Sequence, residues 1–83
     1  MFVQVIEAVV LEFGGDKPVS MTCRGVRWRV SDTPTELRET IYLTHPMSRR
    51  VGWRFQATSA GGVARVFDVA GDAAGWRLAA VYD

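Results

Sequence analysis

The stretch VSMTCRGVRWRV (Val19–Val30) carries the clearest structural signal in this chain of 83 residues. Two apolar runs flank the dipeptide Arg24-Gly25, and glycine permits the positive φ angle that a short turn requires. In the second run, Val26, Trp28 and Val30 alternate with arginines. A period of two residues is typical of a strand with one buried face. The stretch therefore predicts a tight β-hairpin.

Strand patterns continue on both sides of this hairpin. Before it, FVQVIEAVVLEF (residues 2–13) is rich in β-branched residues, which favours a strand. Apolar residues occupy both sets of alternate positions, so the strand would be central and covered on each face; a helix is the alternative. After it, turn-forming residues separate VGWRFQAT (residues 51–58), VARVFDVA (residues 63–70) and WRLAAVY (residues 76–82). About six closely spaced strands predict one mostly β domain over residues 1–83, an antiparallel meander closing into a small barrel or half-barrel, because curling removes exposed edges.

One segment between the strands has a different pattern. Thr33 can cap a helix, Pro34 suits the first helical position, and Glu36 completes a capping box. These residues predict one short helix near residues 34–42, which ends before the His45-Pro46 dipeptide. An extended conformation of ETIYLT (residues 39–44) is the alternative.

The dipeptide Trp-Arg occurs three times, at Trp28-Arg29, Trp53-Arg54 and Trp76-Arg77. Neighbours on a strand point to opposite faces, so inward indoles would form much of the core and the arginines would project outward. A structural interpretation is sufficient for this pattern, since arginine stems cover apolar surface while their heads stay in water. The functional interpretation is an arginine-lined face that binds phosphate or carboxylate groups.

Charge is concentrated in the central third of the chain, although the whole chain carries only +1. Nine of the ten basic residues are arginine, and residues 24–54 contain seven of them against three acids, a local sum of +4. The candidate anion-binding residues are Arg27, Arg29, Arg49, Arg50, Arg54 and Arg77. Alternatively, these arginines are scattered over the surface and paired with acids such as Asp68 and Glu12.

The sequence offers no constellation for catalysis. Cys23 and His45 are the only cysteine and histidine, and no glycine-rich phosphate loop is present, so we predict no metal, no cofactor and no internal disulfide. An enzyme would need a pocket that gathers His45 or Cys23 with acids. No apolar run reaches the roughly 18 residues that span a bilayer, which predicts no membrane association. A single thiol without an export signal predicts a cytoplasmic location.

Four short segments resemble a family of small actinobacterial proteins of unknown function. They are RGVRWRVSDTPTEL, GWRFQAT, VFDV and GWRLAAVYD, and the resemblance covers roughly residues 18–82. The family is built around an RG-x-x-W/Y-x-V hairpin and a C-terminal GWRL strand. Some members are encoded near DNA-repair polymerases, so the resemblance implies a role with nucleic acid or a repair assembly. It supplies no catalytic residues.

Two hypotheses follow for the function. The first is a non-enzymatic binding module whose arginine-rich sheet face holds an anionic partner, such as nucleic acid or an acidic protein surface. The second is a protein-interaction module that forms a homodimer or extends a partner's sheet through its N-terminal strand.

Overall fold

The computed structural model describes residues 2–37, 51–72 and 75–82, and these residues form seven β-strands. The mostly β fold predicted from the sequence is thereby confirmed. The strands are β1 (Phe2–Gly14), β2 (Lys17–Cys23), β3 (Val26–Val30), β4 (Thr35–Leu37), β5 (Val51–Ser59), β6 (Ala64–Asp72) and β7 (Gly75–Tyr82). No helix in the described ranges has the length and hydropathy needed to cross a membrane.

Six of the strands close into a barrel. Every pairing is antiparallel, and the order around the barrel is β3, β2, β1, β7, β6 and β5. A pairing between β3 and β5 completes the ring. The short strand β4 pairs with β5 outside this ring. The predicted closure of the meander into a small barrel is therefore confirmed.

The β2–β3 hairpin forms where its sequence predicts it. Arg24 and Gly25 both have positive φ angles, 51° and 77°, which is the pattern of a type I′ turn. This turn twists in the same sense as the strands that it joins. It sets a register in which Cys23 faces Val26 and Met21 faces Trp28 across the hairpin.

The core lies inside the barrel and is built from the inward parity of each strand. Phe55 and Met21 are fully buried, and the Trp28 ring meets the Phe67 ring edge-on with 4.9 Å between centroids. The predicted inward position of the indoles is confirmed for Trp53, which is 8% exposed. Trp28 and Trp76 are half-buried and pack against the same core.

Two local predictions are corrected. Thr35–Leu37 forms strand β4, so the helix predicted near residues 34–42 is wrong there; residues 38–42 lie outside the described ranges. The edge of β5 accepts these residues in its ladder, with Leu37 opposite Gly52, and this pairing outweighs the capping signal. Strand β1 is also not covered on both faces, because Val10 on its outer side is 62% exposed.

Candidate functional site

Two of the predicted arginines lie together on the outer wall of the barrel. Arg27 and Arg29 are two residues apart on β3, which places them on the same face with their Cα atoms about 7 Å apart. On the neighbouring strand β5, Thr58 pairs directly with Arg29. A groove of about 290 Å³ runs between the two strands. We call it the β3–β5 groove; its lining residues are Arg27, Arg29, Thr58, Ser59 and Ala60.

The two guanidinium groups of this groove differ in their partners. Nη2 of Arg27 lies 3.2 Å from Oε1 of Glu12, and both side chains are well exposed, so the ion pair is weak and open to competition. Arg29 forms no ion pair with any residue that the structure describes. The groove therefore presents one cation without a local partner and a second that is only loosely neutralised.

Arg54, by contrast, is held by its neighbours on the outer wall. Its Nε and Nη2 atoms donate to the two oxygens of Asp68 at 2.7 and 2.9 Å, and Nη2 also donates to the Tyr82 hydroxyl at 3.1 Å. The guanidinium carbon lies 5.1 Å from the centre of the Tyr82 ring. The hydrogen bond to Asp68 raises the pKa of Arg54, and the phenol, which also donates to Asp68, has a raised pKa as well. This cluster ties β5 to β6 and β7.

The remaining predicted arginines do not join the β3–β5 groove. Arg77 is exposed on β7, which is three strands from β3 in either direction around the ring, so it lies on the opposite wall. Arg49 and Arg50 lie outside the described residues, as does His45. The alternative interpretation, in which the arginines are paired with acids, holds for two of them: Arg27 contacts Glu12, and Arg54 contacts Asp68.

A second concave site lies at one end of the barrel, where a cavity of about 470 Å³ opens between the hairpin turn of β2–β3 and the loop after β5. We call it the barrel mouth. Its apolar lining residues are Val26, Trp28, Val63, Phe67, Leu78 and Val81, and its polar lining residues are Glu7, Cys23, Arg24, Ser59 and Arg65. The barrel mouth thus combines an apolar wall with charged groups at its rim.

The polar groups of the barrel mouth are linked to one another. Nε of Arg24 donates to Oε2 of Glu7 at 2.8 Å. Burial raises the pKa of the Cys23 thiol, and the nearby Glu7 carboxylate raises it further. At neutral pH the thiol is therefore protonated, which makes it a poor nucleophile. The described residues hold no group of three or more side chains suited to bind a metal ion.

Sequence reasoning did not find the barrel mouth. The sequence feature that could have revealed it is Glu7, which interrupts a run of apolar residues at alternate positions of β1: Val3, Val5, Val9 and Leu11. Glu7 faces Leu78 of β7 in the ladder and so shares the inward parity. An acid on the inward side of a barrel strand belongs at an end of the barrel, where water or a ligand can reach it.

The hypothesis that β1 pairs with another chain stays a prediction. Within the described residues, β1 already pairs with β7 from Phe2 to Val9 and with β2 from Val10 to Gly14.

Comparison of the chain with known protein families, with curated proteins and with solved structures finds no significant match. The function must therefore be argued from the groove and the barrel mouth themselves.

Proposed function

We propose that the protein is a non-enzymatic binding module whose β3–β5 groove holds the phosphate groups of a nucleic acid. The observation that carries this proposal is the position of Arg29, an exposed cation of the described surface without an ion pair, beside Arg27 and the Ser59 hydroxyl. Oγ of Ser59 accepts from the Val63 amide, so its own proton is available to a phosphate. The Thr58 hydroxyl, by contrast, already donates to Oγ of Ser31. Guanidinium groups bind phosphate oxygens in a fork, and hydroxyl groups supply further hydrogen bonds.

The chemistry of the groove suits backbone contacts rather than base recognition. Its lining consists of two guanidinium groups, two hydroxyl groups and Ala60, with no aromatic ring on which a base could stack. The module would therefore bind without strong sequence preference and position a partner rather than select a sequence. Some members of the family that the chain resembles are encoded near DNA-repair polymerases, and this resemblance implies such a role.

The first experiment measures binding of a fluorescently labelled single-stranded oligonucleotide by anisotropy at several salt concentrations. If two phosphates are neutralised, log K should fall with log salt at a slope of about −1.4. Arg29→Gln should weaken binding several-fold and bring the slope to about −0.7, because one contact is lost.

Arg77→Gln is the matched control, because it removes the same charge from the opposite wall of the barrel. It should leave the affinity and the slope unchanged. Absence of binding at the lowest salt would refute the proposal. An equal effect of the two substitutions would also refute it, since the attraction would then be a property of the net charge.

A third variant should strengthen binding at the groove instead of weakening it. Glu12→Gln removes the carboxylate that pairs with Arg27, which frees that guanidinium for a phosphate. Binding should therefore become tighter. A weaker or unchanged affinity would mean that Arg27 takes no part.

A further inference from the structure

We propose that the barrel mouth is a binding site for a small monoanionic ligand with an apolar body. This site is separate from the β3–β5 groove, and the inference does not depend on nucleic-acid binding. The two sites share Ser59 but otherwise have different walls: the groove lies on the outer face of β3 and β5, whereas the barrel mouth leads toward the inward-facing residues.

The apolar part of the proposed ligand is argued from the walls of the cavity. Trp28, Phe67, Leu78 and Val81 line it, and its volume of about 470 Å³ lies in the range of small-molecule sites. Phe67 and Leu78 are almost fully buried, so the packing of the core fixes the apolar bottom of the cavity. A ligand whose apolar part consists of two or three rings fits these dimensions and this chemistry.

The anionic head is argued from Arg24 at the rim. Glu7 accepts a hydrogen bond from Nε of Arg24, which orients the guanidinium, and the two terminal nitrogens make no hydrogen bond to any described residue. They are thus available to a carboxylate or a sulfonate. Arg24 also occupies a left-handed backbone position, with φ at 51°, where asparagine or glycine is the usual residue. An arginine at this position is explained by the use of its side chain.

The donors of Arg24 favour a single anionic group. Nε of Arg24 is held by Glu7, and its two terminal nitrogens match the two oxygens of one carboxylate or sulfonate. The Cys23 thiol adds no charge of its own, because burial raises its pKa.

The first measurement compares two dyes that differ in one group. The probe 8-anilinonaphthalene-1-sulfonate has an apolar three-ring body and one sulfonate, and N-phenyl-1-naphthylamine has the same body without charge. Fluorescence titration of the folded protein should give saturable one-to-one binding of both dyes. The sulfonate should bind about tenfold more tightly, because it gains a charged hydrogen bond to Arg24.

Arg24→Asn tests the head group and preserves the turn, since asparagine tolerates the left-handed conformation. The variant should lose the preference for the sulfonate and keep the affinity for the neutral dye. Arg29→Gln and Arg77→Gln should change neither affinity. The unfolding midpoint and near-ultraviolet circular dichroism confirm that each variant is folded.

Alkylation of Cys23, the single cysteine, locates the bound dye. Saturating 8-anilinonaphthalene-1-sulfonate should slow the reaction of the wild-type protein with N-ethylmaleimide in proportion to occupancy. An unchanged alkylation rate would overturn the proposal, because the dye would then bind elsewhere. The proposal would also be overturned by a stoichiometry above one, which loosely packed chains give, by no saturable binding, or by a sulfonate preference that survives in Arg24→Asn.

Discussion

At the scale of single residues, the same dipeptide gives three different outcomes. Each Trp-Arg pair places the ring toward the core and the guanidinium outside, as the strand period requires. Arg29 is then available in a groove, Arg54 is bound by Asp68 and Tyr82, and Arg77 is exposed on the opposite wall. The role of each arginine is therefore decided by the residues on the neighbouring strands.

The Trp76 ring depends on a glycine opposite it. Gly71 pairs with Trp76 across β6 and β7, and a Cβ atom at this glycine would lie only 2.5 Å from Cε3 of the indole. Gly71→Ala should therefore displace the ring and lower the free energy of unfolding by about 1–3 kcal/mol. Thermal or denaturant unfolding measures this loss.

Gly61→Ala is the matched control for this substitution. The nearest atom to its added Cβ would be Oγ of Ser59 at 3.9 Å, which is an ordinary contact. The free energy of unfolding of Gly61→Ala should differ from that of the wild type by no more than about 0.5 kcal/mol. Equal losses in the two alanine variants would contradict the steric explanation.

At the scale of elements, β3 and β4 act as one interrupted strand along the same edge of β5. Between them, the amide of Ser31 donates to the carbonyl oxygen of Gln56 at 2.8 Å. The amide of Gln56 donates in turn to Oδ1 of Asp32 at 2.8 Å. The Asp32 side chain thus replaces a main-chain acceptor where the ladder breaks. This edge explains why the capping signal of Thr33, Pro34 and Glu36 did not produce a helix over 35–37.

Asp32→Ala should remove that acceptor and lower the free energy of unfolding by about 1 kcal/mol. Asp32→Asn retains a carbonyl oxygen at the same place and should recover most of the loss. Denaturant titration of the two variants beside the wild type provides the measurement. If asparagine were as damaging as alanine, the carboxylate charge rather than the hydrogen bond would be responsible.

At the scale of the whole molecule, closure of the barrel rests on its shortest pairing. Only Trp28–Val30 of β3 pairs with Ala57–Ser59 of β5, whereas β5 and β6 pair along Val51–Thr58. The β3–β5 pairing joins segments about 30 residues apart, so its formation costs more loop entropy than a hairpin does. The β1–β7 pairing joins still more distant segments, but it gains a longer ladder in return. The β3–β5 contact is therefore the weakest seam of the ring.

Native-state hydrogen exchange should reveal this seam. Amides at the β3–β5 pairing should open with a free energy lower by more than about 1 kcal/mol than amides in the middle of β6, which should exchange only by global unfolding. Measurement by nuclear magnetic resonance compares both sets in one sample. Uniform protection around the ring would show that the barrel opens only as a unit.

The sequence by itself determined six of the seven described strands, the β2–β3 turn and the inward or outward side of each Trp-Arg pair, because period and turn chemistry are local properties of the chain. Only the tertiary structure decided that Arg27 and Arg29 share a groove, that Arg54 is bound to Asp68, and that Glu7 meets Arg24 at the barrel mouth. The groove forms because β3 meets β5, the Arg54–Asp68 pair forms across β5 and β6, and Arg24 reaches Glu7 of β1 from the β2–β3 turn. Which strands become neighbours, and in which register, is fixed by burying one common core, and no local pattern encodes it.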